Sequence, residues 1–378
     1  MKLNSKISKI KESQTLKLNA KAIGLKKQGL DIINLTAGEL DFDTPKVIQN
    51  EVRKKLAENK YTPVPGLTEL RKNIASSVQK NYQIKTSKKN IVVTAGGKQA
   101  LYEVFQTILN PGDEVLIPIP AWVSYEQQVL LTGGKPVFVP LTKTFDLDVS
   151  EIKKHFTKKT KALILNSPHN PTGAIFTKKN LEVLKKLLKN KSIFVICDDI
   201  YEKLVFSKKY ILPSKILKPC KNLIIINGFS KSHALTGWRI GYVAANPDIV
   251  ETIAKIQSQT SGNASVISQY AALAALKFPK TDYLQILQKR RRLVGRLLND
   301  LPKISFNFPE GSFYFFLNIK KIDQNSKQFC QRLLKSTGIL LVPGEAFRAR
   351  GFVRLSFAAS EKNLKTAVNR LRNFVENY

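Results

Sequence analysis

The chain has 378 residues, 43% hydrophobic and 24% charged, enough to bury a large core and long enough that two domains are expected rather than one. No apolar run approaches the roughly 18 residues of a membrane span, and residues 1–15 carry lysines without an apolar block, so neither a span nor a secretory signal fits and a cytoplasmic protein without membrane partners is expected. Three scattered cysteines (Cys197, Cys220, Cys330) and three histidines argue against a disulfide framework or a metal site, and the net charge of +34 is spread as lysine doublets rather than gathered into a nucleic-acid footprint.

The predicted elements follow one pattern. Short runs rich in Val and Ile, at 91–94, 114–117, 136–139, 162–165, 193–197 and 223–226, with a further strand at 241–245, are separated by helical stretches. That alternation predicts an α/β fold with a mostly parallel central sheet flanked by helices. Residues 97–108 and 181–188 have amphipathic helical spacing, the first stopped by Asn110-Pro111-Gly112-Asp113. From about residue 280 the pattern changes. A helix at 283–301 leads into strands at 313–317, 340–342 and 353–357 and helices near 327–335 and 361–374, a smaller α+β domain. The expected organisation is therefore a segment 1–43 that returns to pack on the small domain, a large domain 44–280, and the small domain 281–378. The one basic tract, Lys289-Arg290-Arg291-Arg292, reads as a solvated face of its helix.

Ligands of open α/β sheets bind beyond the carboxyl ends of the strands. Those ends carry Gly96-Gly97-Lys98, Pro120-Ala121-Trp122, Asn166 to Gly173, Asp198-Asp199-Ile200-Tyr201 and Gly228-Phe229-Ser230-Lys231. Two glycines and a lysine opening a helix offer free N–H groups to a phosphate. Lys231, followed eight residues on by Arg239, suits a Schiff base with a carbonyl, because desolvation and nearby cations free its amine. A carboxylate at Asp198 could hold a pyridine nitrogen protonated, Tyr201 could reach the ring's phenolic oxygen, and Trp122 could stack on a flat ring. An aldehyde partner, a carboxylate, a stacking aromatic and a phosphate nest together describe pyridoxal 5′-phosphate.

The motifs Asn170-Pro-Thr-Gly173, Asp198-Asp-Ile-Tyr201, Ser230-Lys231, Thr236-Gly-Trp-Arg-Ile-Gly-Tyr242 and Val353-Arg354-Leu-Ser-Phe357 resemble those of the class I aminotransferases, fold type I enzymes that use this cofactor. Ser13-Gln-Thr15, the stretch Leu35-Thr-Ala-Gly-Glu-Leu-Asp-Phe-Asp-Thr-Pro45 and Trp122-Val-Ser-Tyr125 place the resemblance nearest the bacterial aspartate and aspartate/prephenate aminotransferases. The resemblance implies catalytic roles for Lys231, Asp198 and Tyr201. It implies cofactor contacts from Gly97, Lys98, Trp122, Asn170, Ser230, Arg239 and, across a homodimer, Tyr61. Arg354 would clamp the substrate α-carboxylate, helped by Gly38 and Asn170, while Lys98 and Thr15 would read a distal carboxylate beside Trp122. The implied substrates are amino acids and 2-oxo acids. An aromatic or branched-chain aminotransferase, or a cysteine-conjugate β-lyase, stays open as the alternative. Leu40, Ala121 and Ser312 stand where the family usually has proline, an aromatic and alanine, and His169 and His233 fall in variable slots.

Overall fold

A computed structural model describes residues 5–8, 10–218, 222–278 and 282–378. Cys220 and the expected boundary between residues 280 and 281 lie outside them. Seven strands form the central sheet: β1 (Ile91–Thr94), β2 (Glu114–Ile119), β3 (Lys135–Pro140), β4 (Thr160–Asn166), β5 (Phe194–Asp198), β6 (Leu223–Gly228) and β7 (Gly241–Ala244). Their order across the sheet is β1-β7-β6-β5-β4-β2-β3. All neighbours run parallel except β7, which is antiparallel to both β1 and β6.

The near-continuous apolar runs are explained by burial on both faces. Ile164, Ile196, Ile224 and Ile226 pack on one face with helices Gly97–Ile108 and Pro247–Gln259. Leu163, Leu165, Val195 and Cys197 alternate to the other face, against helix Lys178–Leu188. The register then lines up the strand ends, with Asn166 beside Asp198 and Asp198 beside Ile226. Because β7 runs backwards, its first residue Gly241 pairs with both Thr94 and Gly228. Arg239, which precedes its strand, thus reaches the same edge that the other groups reach by following theirs.

The second sheet is antiparallel, in the order Val342–Pro343, Phe352–Ser356, Tyr314–Asn318, Ser305–Phe306. Its core, with Leu317, Val353 and Leu355, is closed by helices Tyr283–Asn299, Ser326–Thr337 and Glu361–Glu376. The strand expected at 340–342 divides at Leu341. Ile339–Leu340 pairs in parallel with Ile33–Asn34, whereas Val342–Pro343 pairs with Arg354 and Val353. One extended stretch thereby serves two sheets, and the N-terminal segment is joined to this half of the molecule.

The basic tract is not one solvated face. Helical spacing carries Arg290 to the side of Leu287 and Val294, where it is 8% exposed and grips the Asp41 carboxylate with both terminal nitrogens at 2.6 and 3.0 Å. Arg291 lies over the rings of Phe206 and Phe308. Among the described residues, no helix is long and apolar enough to cross a membrane, and no group of three or more His, Cys, Asp and Glu could hold a metal.

Glu103, on helix Gly97–Ile108, is 1% exposed and receives one bond from Gln257 Nε2 at 3.1 Å. Burial pushes its carboxyl up to about 7. A carboxyl raised in the folded state costs stability as pH climbs from its unfolded value through that raised value. The wild-type protein should therefore lose up to roughly 3 kcal/mol from this group between about pH 4.5 and about pH 7. Glu103→Gln should flatten that slope, as read by denaturant unfolding at about pH 5 and about pH 8, and an unchanged slope would refute the assignment.

Candidate functional site

A cavity of about 540 Å³ opens at the aligned strand ends, between the two sheets. It is lined by Thr15, Gly38, Gly97, Lys98, Trp122, Asn170, Asp198, Tyr201, Ser230, Lys231, Arg239 and Arg354. The fold thus collects every residue given a catalytic, cofactor or substrate role from the sequence except Tyr61, which is 97% exposed and is not part of the lining.

Lys231 follows β6, and its Nζ donates to the Gly38 carbonyl at 2.5 Å. Burial lowers its pKa to about 8; Arg239 and Arg354 act in the same sense, and Glu39 and Asp198 oppose them. About a quarter of the amine is then unprotonated at about pH 7.5, against about one part in a thousand for an ordinary lysine. Asp198 ends β5, and burial raises its carboxyl to about 6. The Tyr125 hydroxyl donates to its Oδ2 at 2.7 Å and favours the ionised form.

The neighbouring strand supplies Asn166, whose Oδ1 accepts from the Asn170 backbone N–H at 2.9 Å and whose Nδ2 donates to the Asp198 carbonyl at 2.8 Å. Asn170 Nδ2 reaches the Tyr201 hydroxyl at 3.3 Å, and Tyr201 and Tyr314 hydroxyls lie 3.1 Å apart. Arg354, on the second sheet, is 1% exposed. It donates to Asn170 Oδ1 at 2.9 Å and to the Thr36 carbonyl at 2.8 Å, stacks 4.2 Å over the Tyr314 ring, and leaves its Nε without a partner.

At the opposite end Gly96 takes φ 85°, a conformation that glycine adopts freely. A Cβ there would lie 2.6 Å from Arg239 Nη2, and one on Gly241 would strike the Gly96–Gly97 backbone at 2.9 Å. The two glycines let a guanidinium and a helix N-terminus converge. Lys98 Nζ sits 5.3 Å over the Trp122 ring, and burial together with Arg239 lowers its pKa. This cradle suits a phosphate, and the whole set has the carboxylate, hydroxyl, stacking ring and amine that pyridoxal phosphate needs. The sequence assigns no role to Tyr125, Asn166, Tyr314 or Thr36. Tyr125 carries a signal all the same, since it follows Trp122 by about one helical turn.

Tyr125→Phe leaves the Asp198 carboxylate short of a donor in cofactor-free protein. Removing a donor to the charged form raises the folded pKa further, so the loss should be about 1–3 kcal/mol at about pH 8 and should fade below about pH 6. Thermal unfolding at the two pH values checks it; equal losses at both would contradict the pairing.

The family described as Aminotransferase class I and II matches residues 30–371. An aspartate aminotransferase of Thermotoga maritima is 40% identical over 99% of each chain. A probable aspartate/prephenate aminotransferase of Aquifex aeolicus is 38% identical over 99% of this chain and 98% of its own. The solved Thermus thermophilus aspartate aminotransferase with maleate superposes with a TM-score of 0.94 at 36% identity, covering 99% of both chains.

Proposed function

The chain belongs to the class I and II aminotransferase family, and from that membership we propose that it moves the amino group of aspartate to 2-oxoglutarate, giving oxaloacetate and glutamate. Prephenate is proposed as an alternative acceptor, and a cytoplasmic homodimer as the working form. The enzyme is a transaminase of the pyridoxal-phosphate-dependent kind. The observation that carries the dicarboxylate reading is that, besides Lys231 and the Arg239 of the phosphate cradle, the cavity holds two further cations, Arg354 among Asn170, Thr36 and Tyr314, and Lys98 against Trp122. A substrate with two carboxylates satisfies both, whereas an aromatic or branched side chain leaves Lys98 facing an apolar group.

When bound, the cofactor supplies an aldehyde for the amino group and a protonated ring that withdraws electrons from Cα. Asp198, held by Tyr125, supplies the negative partner for the ring nitrogen. Tyr201 and Asn170 offer donors to the ring oxygen, and Trp122 supplies an aromatic face. The backbone N–H groups of Gly97 and Lys98 at the start of helix Gly97–Ile108, with Ser230 and Arg239, would receive the phosphate, which leaves the Lys98 side chain for the substrate. Arg354 receives the α-carboxylate in its planar fork, which fixes Cα above Lys231. Lys231 Nζ, the amine that burial keeps partly unprotonated, would take the proton from the substrate Cα as base and later give it back as acid. Thr15, on helix Gln14–Lys27, lines the same cavity as Lys98, which supports a role for it at the distal carboxylate. The exposed Tyr61 supports a dimer in which it reaches the partner's phosphate cradle.

Two substrates using one site in turn should give ping-pong kinetics. Protein loaded with pyridoxal phosphate should form oxaloacetate from aspartate and 2-oxoglutarate, followed by coupled NADH oxidation with malate dehydrogenase. Turnover of phenylalanine or a branched-chain donor with none of aspartate would overturn the proposal. Lys98→Ala should lower kcat/KM for aspartate by about 100-fold and for phenylalanine by less than about 5-fold, since only the former loses a charge-assisted contact. Equal losses would remove Lys98 from substrate reading.

A further inference from the structure

Gln269, on helix Val266–Lys277, is fully buried, and its amide spends both protons and its oxygen on partners far apart in the chain. Its Oε1 accepts from the Leu67 N–H at 2.7 Å, while its Nε2 donates to Thr62 Oγ1 at 3.0 Å and to the Ala264 carbonyl at 2.8 Å. The amide fits only one way round, since an N–H needs an acceptor and a carbonyl needs a donor. The Thr62 hydroxyl gives its own proton to the Pro63 carbonyl at 3.2 Å, which leaves its oxygen to accept from Gln269.

These partners belong to two segments, and both lead to the phosphate cradle. Thr62 and Leu67 bracket the turn 63–66 that follows Tyr61, a turn closed by the Gly66 N–H on the Pro63 carbonyl at 2.8 Å. The turn lies on β1, where the Val93 N–H donates to the Pro65 carbonyl at 3.0 Å. Gly66 takes φ 103°, and a Cβ there would stand 2.6 Å from Val93 Cγ2 and 3.1 Å from Gln269 Oε1, so this approach needs glycine. Ala264 ends the loop after helix Pro247–Gln259; in that loop Ser261 Oγ accepts from Gln99 Nε2 at 2.8 Å, and Gln99 Oε1 accepts from the Ala95 N–H beside Gly96. Tyr61 is 97% exposed, so its own protomer buries almost none of it and its place is set by the backbone next to Thr62. We propose that Gln269 is a positioning residue that holds the Tyr61 arm at a fixed distance from the phosphate cradle of its own protomer, and thereby aims the Tyr61 hydroxyl at the partner's cradle. The inference rests on the dimer and the Tyr61 role proposed above.

The experiment compares Gln269→Met, which keeps the volume and loses all three bonds, with Thr62→Val, which loses one, and Tyr61→Phe, which loses the hydroxyl itself. The Kd for pyridoxal phosphate is read from quenching of tryptophan fluorescence, beside the melting temperature and the sedimentation of each protein. Tyr61→Phe should raise Kd about 10-fold or more, as expected for a hydrogen bond to a charged group, Gln269→Met about as far, and Thr62→Val about 3-fold. Gln269→Met combined with Tyr61→Phe should be little worse than Tyr61→Phe alone, since both act through one hydroxyl. Hybrid dimers then test the direction. With Lys231→Ala on one chain, only the other chain's site turns over, and the cofactor concentration giving half-maximal activity reports that site. Gln269→Met should raise this concentration when it is carried by the Lys231→Ala chain and leave it unchanged when it is carried by the other. Equal or reversed effects would overturn the proposal, as would a lower melting temperature with an unchanged Kd, which would leave Gln269 a packing residue. Should Gln269→Met fail to fold, Thr62→Val decides by the same measurements. A Tyr61→Phe protein with the wild-type Kd, or a wild type that sediments as a monomer, would instead remove the Tyr61 reading on which the inference stands.

Discussion

Four cations, Lys98, Lys231, Arg239 and Arg354, converge on one cavity with two carboxylates, Asp198 and Glu39. Charge withdrawn from water is costly unless it is paired. The protein meets that cost with backbone carbonyls, Gly38 for Lys231 and Thr36 for Arg354, and holds the more exposed Arg239 with those of Thr236 and Ala95. A carbonyl satisfies a donor without cancelling its charge. The excess is therefore retained, and anions entering the cavity find cations already fixed in place, with little reorganisation needed. Burial lowers the pKa of Lys231 and Lys98, and Arg239 acts on both in the same sense.

Much of this was readable from the chain because strand ends are short and their residues chemically conspicuous. A glycine pair, an aspartate pair after an apolar run and a lysine after another need no three-dimensional information to be singled out, only the rule that such ends share an edge. What could not be read is how the groups are held. Tyr125 supports Asp198 from a helix that belongs to a different strand unit, and Thr36 acts through its carbonyl, which every residue has. The antiparallel sense of β7 is invisible in a run of apolar residues, since both directions bury the same side chains. Helix Val266–Lys277 escaped for a related reason: its alanines are buried on several sides, so it carries almost no periodic contrast.

The tract Lys289 to Arg292 shows the opposite error. Four consecutive basic residues suggest a uniform surface, but about 3.6 residues per turn send each to a different environment. Arg290 closes on Asp41 and is buried, while Arg291 stays partly exposed with its guanidinium stacked on aromatic rings. Asp41 lies three residues beyond Gly38, so this half-buried ion pair ties the helix entering the second sheet to the segment that receives the Lys231 amine.

The reversal of β7 also makes residues 229–240 a closed tether. The chain leaves the sheet at Gly228 and re-enters at Gly241, and those two residues pair with each other. The amine of Lys231 and the guanidinium of Arg239 ride on a single loop of fixed contour length, pinned at both ends to one rung. An insertion or deletion there would shift both groups in concert and could not adjust one alone. Divergence of substrate preference in this architecture therefore has to be written elsewhere, on elements such as helix Gln14–Lys27 that touch the cavity from one side and are free to vary without dragging the reactive nitrogen with them.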